Sequence, residues 1–477
     1  MTVHDIPSTG YGDGLPRSGR PVPGEPPELY REALLGGHAA ACVWGLGHIG
    51  WSTATALSAE GVRVVGYDTS PSRVARLTGE GVPETVTVSH DRRRALEPDI
   101  LVHFIAVPTE RHAEPYTEAL LDVLSAVAAA TAARRGQPPP LVVVESTITP
   151  GTVETLLLPL LRRAGLTPDV DLLLALAPRR DWFTAEGYGL REVDRVYGGA
   201  GPRSADAAFA VLSVLCDTLH RASGHVAGEL VKCVENAYRH LEITLANQLS
   251  LAFPSVDMVE VLRLAGTKWN IGTFHPSFGT GGYCIPLSSR YLLQGAEEVG
   301  ELSLLRQAVE TDDRMRVLVA EAVAGHGPVL ILGLAYKGGI KVCTHSPTVR
   351  IAAELARSGV PFSVHDPLYD GDEIERELGP GTAARDLTAA VRGAGTVLVV
   401  PDHPEFRGEP YATLLREERE TTLSILDNHG VLAGQEWPAH VGYRRAGNAA
   451  WLGTAVPDRP SEPAGTPDTR WAEASGT

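Results

Sequence analysis

The residue with the most overt chemistry in this chain is a cysteine set among glycines. In Phe278-Gly279-Thr280-Gly281-Gly282-Tyr283-Cys284-Ile285-Pro286 the Cys284 thiol can be approached closely. Thiolates are strong nucleophiles when a cation lies beside them. The usual fate of a free cysteine is that of a small buried hydrophobe. That fate is expected for Cys42, Cys216, Cys233 and Cys343, which lie in strand, helix or unmarked loop contexts. A polar set lies upstream on a helical stretch. Glu229, Lys232 and Asn236 recur at spacings of three and four and share one helical face, to which Asn247 returns three turns on. A solvated stripe is the plainer reading, but Leu230, Val231, Val234 and Ala237 beside it are apolar.

A second constellation reads as a nucleotide site. Gly45-Leu46-Gly47-His48-Ile49-Gly50 fits G-x-G-x-x-G between an apolar run and a helical stretch. Gly45 permits a tight turn, Gly47 lets backbone approach a pyrophosphate, and Gly50 lets helix pack on strand. A helix N-terminus favours the phosphate charge. Asp68 follows Gly50 by 18 residues, at the end of the next apolar run. A carboxylate there bonds a ribose 2′-hydroxyl and repels a 2′-phosphate, which implies NAD rather than NADP. Arg73 is a mild signal the other way. A purely structural glycine turn is the alternative; strand, helix and acid together favour the nucleotide.

The elements that must hold these groups alternate. Short apolar runs at 40–44, 62–67, 100–106, 141–144 and 172–177 are separated by helical stretches, as expected for a parallel, doubly wound sheet. Helical periodicity is then continuous over 227–250, with more helix at 256–265 and 302–324. A second alternating region has strands at 329–334, 362–365, 396–400 and 423–426. The predicted division is a 1–38 tail, a Rossmann domain over 39–222, a helical middle over 223–324, a second Rossmann-like domain over 325–452, and a 453–477 tail. The Gly- and Pro-rich ends cannot bury enough apolar surface to offset chain entropy, so both tails are expected to be disordered.

Composition narrows the class. The 477 residues carry a formal charge of −16, which argues against a nucleic-acid footprint. No apolar run is long enough to cross a bilayer, no secretory pattern opens the chain, and no C-x-x-C pair suggests zinc. A soluble, cytoplasmic enzyme without a metal is expected.

Between about residues 40 and 430 the chain resembles the UDP-glucose/GDP-mannose dehydrogenase family. The resemblance rests on the Gly45–Gly50 loop, Val107-Pro108-Thr109, Glu145-Ser146-Thr147-Ile148-Thr149-Pro150-Gly151, Arg195-Val196-Tyr197-Gly198-Gly199, the 229–239 stretch with Asn247, the cysteine loop, the 333–339 segment with Lys337, and His365-Asp366-Pro367. It implies two Rossmann-like domains joined by a long central helix carrying a homodimer interface. It also implies NAD-dependent oxidation of a sugar C6 hydroxymethyl to a carboxylate, on a nucleotide sugar, most readily a UDP-sugar, in polysaccharide or glycoside biosynthesis. Cys284 is then the nucleophile, Lys232 and Asn236 stabilise oxyanions, and Thr147 places water. Gly45, Gly47, His48, Ile49, Gly50, Asp68, Arg73, Val107, Pro108, Thr109, Ser146 and Thr147 face the cofactor. Lys232, Asn236, Phe278, Gly279, Gly281 and Lys337 face the substrate.

The departures cluster. The family's acid four residues after the cysteine is Ser288, its P-E-R glutamate is Arg179, and a substrate-binding arginine is Thr344. Asp181 or Glu186 could replace the lost acid. The resemblance therefore leaves open full oxidation, an altered outcome that stops at the aldehyde or is redox-neutral, and a non-catalytic nucleotide-binding protein.

Overall fold

A computed structural model describes residues 27–134, 137–180 and 188–453. The chain forms two compact units, residues 1–241 with 284–309 and residues 242–283 with 310–477.

The first unit is built on β1 (Ala40–Trp44), β2 (Arg63–Tyr67), β3 (Val86–Ser89), β4 (Ile100–Ile105), β5 (Leu141–Val144), β6 (Leu173–Leu176), β7 (Arg195–Gly199) and β8 (Leu219–Arg221). Their order is β8-β7-β6-β5-β4-β1-β2-β3. Six of them, β3-β2-β1-β4-β5-β6, have the doubly wound order of dinucleotide folds, with the order of winding reversing between β1 and β4. Pairing is parallel except at β6–β7. β1, β5 and β6 are buried throughout, as strands covered on both faces must be. Alternate residues of β1 enter opposite cores, Ala41 and Val43 on one side, Cys42 and Trp44 on the other.

The N-terminal tail expected over 1–38 requires a correction. Pro27–Leu35 form a helix, α1. Tyr30 and Leu34, one turn apart, are buried in the core that holds Val43, and the Tyr30 hydroxyl donates to the Pro139 carbonyl at 2.6 Å. The composition of the whole segment masked this pair. Residues 1–26 and 454–477 lie outside the described residues.

The second unit carries β9 (Val329–Leu332), β10 (Phe362–His365), β11 (Thr396–Val399), β12 (Leu423–Asp427) and β13 (Val441–Arg445). They are ordered β10-β9-β11-β12-β13 and all parallel. The chain is thus α/β with two doubly wound sheets, as the alternation predicts. β3, β7, β8 and β13 are additions that the apolar runs did not reveal; β13, Val-Gly-Tyr-Arg-Arg, is fully buried only at Val441.

The helices that bear on the site are α2 (His48–Ala59), α3 (Pro71–Glu80), α4 (His225–Ala252), α5 (Cys284–Gly295) and α6 (Ser303–Val323). α4 has 28 residues and stands between the two sheets in chain order. The two units divide within α4 and α6.

Candidate active site

The cofactor loop sits at the carboxyl ends of β1 and β4, where the winding reverses. Gly45 has φ +87°, and a Cβ there would lie 2.6 Å from the Ala106 carbonyl oxygen. A Cβ on Gly50 would lie 1.8 Å from the Gly45 oxygen, so only glycine lets α2 start so close. Gly47 has open space where a Cβ would be. It is the N-cap of α2 and offers no side-chain hydrogen bond, so the first N–H groups, at His48, Ile49 and Gly50, remain for an anion. Asp68 takes the Leu46 N–H at 2.8 Å and the Ser70 N–H at 2.9 Å, and its oxygens keep capacity for ribose hydroxyls. Arg73 turns back on the loop, its Nε donating to the Leu46 carbonyl at 2.7 Å. The bare Gly47 and uncapped helix start fit a dinucleotide pyrophosphate.

Next to this loop, the ends of β4 and β5 are latched together. The Ser146 hydroxyl donates to the Val107 carbonyl at 2.7 Å, and the Thr109 hydroxyl donates to the Thr147 carbonyl at 2.6 Å. Pro108 lies between these two latches. α5 docks on the same strand ends. The buried Tyr291 hydroxyl donates to the Thr109 carbonyl at 2.8 Å, and burial pushes that phenol up to about 12. A Cβ on Gly295 would meet the Pro150 oxygen at 2.5 Å.

α5 begins at Cys284, so the thiol opens a helix rather than sitting in a loop. Of the five cysteines, all among the described residues, Cys284 alone is exposed. Cys233 is buried, and desolvation pushes its thiol up to about 12, which removes it as a nucleophile. α4 runs against α5. Asn236 Nδ2 donates to Ser288 Oγ at 2.8 Å, and His240 Nδ1 meets Ser289 Oγ at 2.8 Å. One turn earlier on these helices stand Lys232, half-buried, and Cys284. Glu229 is a fastener. Its carboxylate takes the Gly151 and Val153 N–H groups at 2.6 and 2.8 Å. Burial raises its pKa, opposed by those two bonds. The polar stripe on α4 is therefore buried joinery with a lysine, not a solvated face.

In the second unit the glycine segment is packed tightly. Phe278 is fully buried and stacks on Trp451, centroids 6.1 Å apart. Its N–H is taken by Asn428 at 2.8 Å, so the Phe278 side chain, expected to face substrate, is closed into the core. Gly279 has φ +115° and lies against Arg316, while Gly281 and Gly282 lie against Tyr336. These glycines serve close packing, which their spacing alone did not reveal. Asn247 accepts the Ser277 N–H at 2.7 Å and so anchors this segment. Lys337 lies half-buried in the segment after β9; burial would raise the nearby Asp402, but the Gly338 N–H, His429 and Lys337 together hold its carboxyl below the ordinary value.

Family models match three stretches: the NAD binding domain of the UDP-glucose/GDP-mannose dehydrogenase family over residues 39–215, its central domain over 226–314 and its UDP binding domain over 330–432. The chain belongs to the UDP-glucose/GDP-mannose dehydrogenase family. It is 28% identical over 426 residues to UDP-N-acetyl-D-mannosamine dehydrogenase of Pyrococcus horikoshii, covering 82% of this chain and 95% of that protein. It is 26% identical over 393 residues to UDP-N-acetyl-D-glucosamine 6-dehydrogenase of Pseudomonas aeruginosa, covering 76% and 90%. The solved structure of the Pyrococcus enzyme matches 86% of this chain and 100% of its own with a TM-score of 0.72. The fold is shared with a UDP-glucose dehydrogenase of Pyrobaculum islandicum at a TM-score of 0.71 and 23% identity, over 86% of this chain and 98% of that one.

In this member of the dehydrogenase family the first sheet is the NAD-binding domain, and NAD is the cofactor. The three departures now have surroundings. Arg179 is 5% exposed and turns onto α2, where it bonds Ile49, Ser52 and Thr53. Ser288 is 2% exposed and occupied by Asn236. Thr344 donates to the Tyr283 hydroxyl at 3.1 Å. Asp181 and Glu186 lie outside the described residues. Among the described residues no cluster of three or more His, Cys, Asp or Glu could hold a metal, and no helix is long and apolar enough to cross a membrane.

Proposed function

We propose that this chain oxidises the C6 hydroxymethyl of a UDP-N-acetylhexosamine through a covalent bond to Cys284. The sugar class follows the named activities of the relatives. The observation that carries the chemistry is the exposed thiol at the start of α5, one turn from Ser288, on a helix fastened to the Lys232–Asn236 stretch. The working division is residues 39–222 for NAD, 223–324 for the active-site helices and 325–452 for the nucleotide sugar, with Lys337 and the backbone at Gly279 and Gly281 on the substrate side.

NAD, when bound, accepts the hydride in each of two oxidations. The chain's own residues do the rest. Lys232 holds the negative charge on the C6 oxygen as its proton leaves. The Cys284 sulfur then bonds the aldehyde carbon, giving a thiohemiacetal whose oxygen faces Lys232 and the second Nδ2 proton of Asn236. Loss of hydride from that carbon leaves a thioester. Water, placed by Thr147, breaks the C–S bond and returns the thiol with a carboxylate product.

The last step is where a second reading gains support. α5 carries no acidic residue. Of the three glutamates on α4, Glu229 is taken by backbone, Glu235 by Arg180 at 2.8 Å, and Glu242, ten residues past Lys232, is exposed. Water attacking a thioester needs a base or equivalent polar help. We expect a long-lived acyl-enzyme. Intact-protein mass spectrometry after NAD and UDP-N-acetylhexosamine should show an adduct that Cys284→Ala abolishes. Ser288→Asp should release it roughly tenfold to a thousandfold faster. Two NADH per sugar without any adduct would restore ordinary full oxidation; one NADH with free aldehyde would mean that the reaction stops before the covalent step. Activity unchanged in Cys284→Ala would make the thiol structural and remove the proposal.

Assembly is proposed as a homodimer. α4 exposes Leu230, Val234 and Tyr238 at four-residue spacing, and the second unit exposes Leu245, Phe253, Leu264 and Trp269. Light scattering at micromolar concentration should give twice the chain mass, and Tyr238→Asp should shift it toward monomer.

A further inference from the structure

We infer that Arg179 is a positioning residue for the pyrophosphate of the dinucleotide. The inference rests on the NAD-binding assignment and not on the sugar or on the chemistry at Cys284.

α2 starts without a side-chain cap, so the aim of its first N–H groups depends on what fastens its first two turns. Two braces do so. On one side Asp68 and Arg73 grip the two ends of Leu46, its N–H and its carbonyl. On the other stands Arg179, which arrives from beyond β6, more than 120 residues later in the chain. Its Nη1 donates to the Ile49 carbonyl at 3.3 Å and to the Thr53 hydroxyl at 2.6 Å, and its Nη2 donates to the Ser52 hydroxyl at 3.1 Å. A guanidinium is a rigid fork that can hold one carbonyl and two hydroxyls at once; an ammonium on a flexible stem cannot hold the same set in fixed geometry.

The brace continues inward. The Thr53 hydroxyl donates to Glu145 Oε2 at 2.6 Å, and Arg195 Nη2 donates to Glu145 Oε1 at 2.5 Å and to the Ala177 carbonyl at 2.6 Å. Arg179, Thr53, Glu145 and Arg195 are each at most 5% exposed. A relay of buried side chains thus joins β7, β5 and α2 to the residues after β6. The next residue, Arg180, ties the same segment to Glu235 on α4 at 2.8 Å and to the Asp194 carbonyl at 2.7 Å. The arginine at 179 therefore ends on the helix whose start meets the pyrophosphate.

The test compares Arg179→Met, Arg179→Lys and Thr53→Val by calorimetry with three probes: NAD, ADP-ribose and adenosine. Arg179→Met should raise the dissociation constants of NAD and ADP-ribose by the same factor, about tenfold, and leave adenosine unmoved. Arg179→Lys should recover part of the loss, and Thr53→Val should weaken both pyrophosphate ligands about threefold. In steady state the KM for NAD should rise while the KM for the nucleotide sugar does not. A purely structural role would weaken adenosine together with ADP-ribose, and that result would overturn the inference. So would unchanged NAD affinity in folded Arg179→Met or, should that variant fail to fold, unchanged ADP-ribose affinity in Thr53→Val.

Discussion

The two sheets of this molecule repeat one device and use it in opposite ways. Each has a first strand followed by Gly-Leu and a neighbouring strand followed by aspartate. In the first unit Gly45 has φ +87° and the Leu46 N–H bonds Asp68. In the second Gly333 has φ +104° and the Leu334 and Ala335 N–H groups bond Asp366 at 2.7 and 3.0 Å. The two diverge just past the turn. After Gly45 a helix starts within three residues, Gly47 has open space and Asp68 is half-exposed. After Gly333 the chain continues to Gly338 and Gly339, whose N–H groups are taken by Asp402 and His403. Asp366 is 1% exposed and also accepts from the fully buried His403 at 3.1 Å. One turn is left open for a ligand; the other is filled by its own protein. The same local backbone code thus offers N–H donors to a ligand only where the protein has not taken them.

Substitutions at matched positions should separate these uses. The largest effect is expected at Gly338→Ala, where a Cβ would lie 2.3 Å from the Asp402 carbonyl group. A clash with backbone cannot relax cheaply, and a loss of about 3 kcal/mol in urea unfolding is expected. Asp366→Ala should cost a similar ~3 kcal/mol by leaving buried N–H groups and His403 without their acceptor. A stability change below about 0.5 kcal/mol in either variant would break the contrast.

Asp68→Ala should act on ligand rather than on fold. NAD affinity should fall roughly thirtyfold, about 2 kcal/mol, with a narrowed preference over NADP, measured by calorimetry. Gly47→Ala meets no protein atom within 4 Å, so melting should move little while NAD binding weakens about tenfold as the methyl holds the pyrophosphate away.

The smallest effect concerns pH. Burial alone would raise Asp366, but the His403 side chain and the Ala335 and Leu368 N–H groups outweigh it and hold the carboxyl below its ordinary value. Asp402 behaves alike: burial is outweighed by the Gly338 N–H and by nearby His429 and Lys337. A depressed folded pKa contributes stability above the ordinary carboxylate range, lost as pH falls through the folded value. The second unit should therefore weaken below about pH 4, and Asp366→Ala should flatten that slope in acid titrations followed by circular dichroism.

Much of the first site was legible because its signals are local. Gly45, Gly47 and Gly50 fall within one six-residue motif, and Asp68 lies one strand on. The cysteine was legible by type, yet its place at the start of a helix was not. α1 escaped because its Tyr30–Leu34 pair sits in a segment whose average composition is that of a tail. β13 escaped because most of its residues are only half-buried and polar.

The sequence by itself determined the alternation of strands and helices, the dinucleotide turn and the candidate nucleophile, since strand runs, glycine spacing and a lone thiol among glycines are properties of short stretches. Only the tertiary structure decided what the remaining polar residues do. Arg179 could have faced a ligand, but it finds Ser52 and Thr53 more than 120 residues away in the chain. Ser288 meets Asn236 across 52 residues, and Phe278 is closed off by Trp451. Burial and hydrogen-bond partners are set by which distant segments each unit brings together, and a polar group taken out of water must find its partner there.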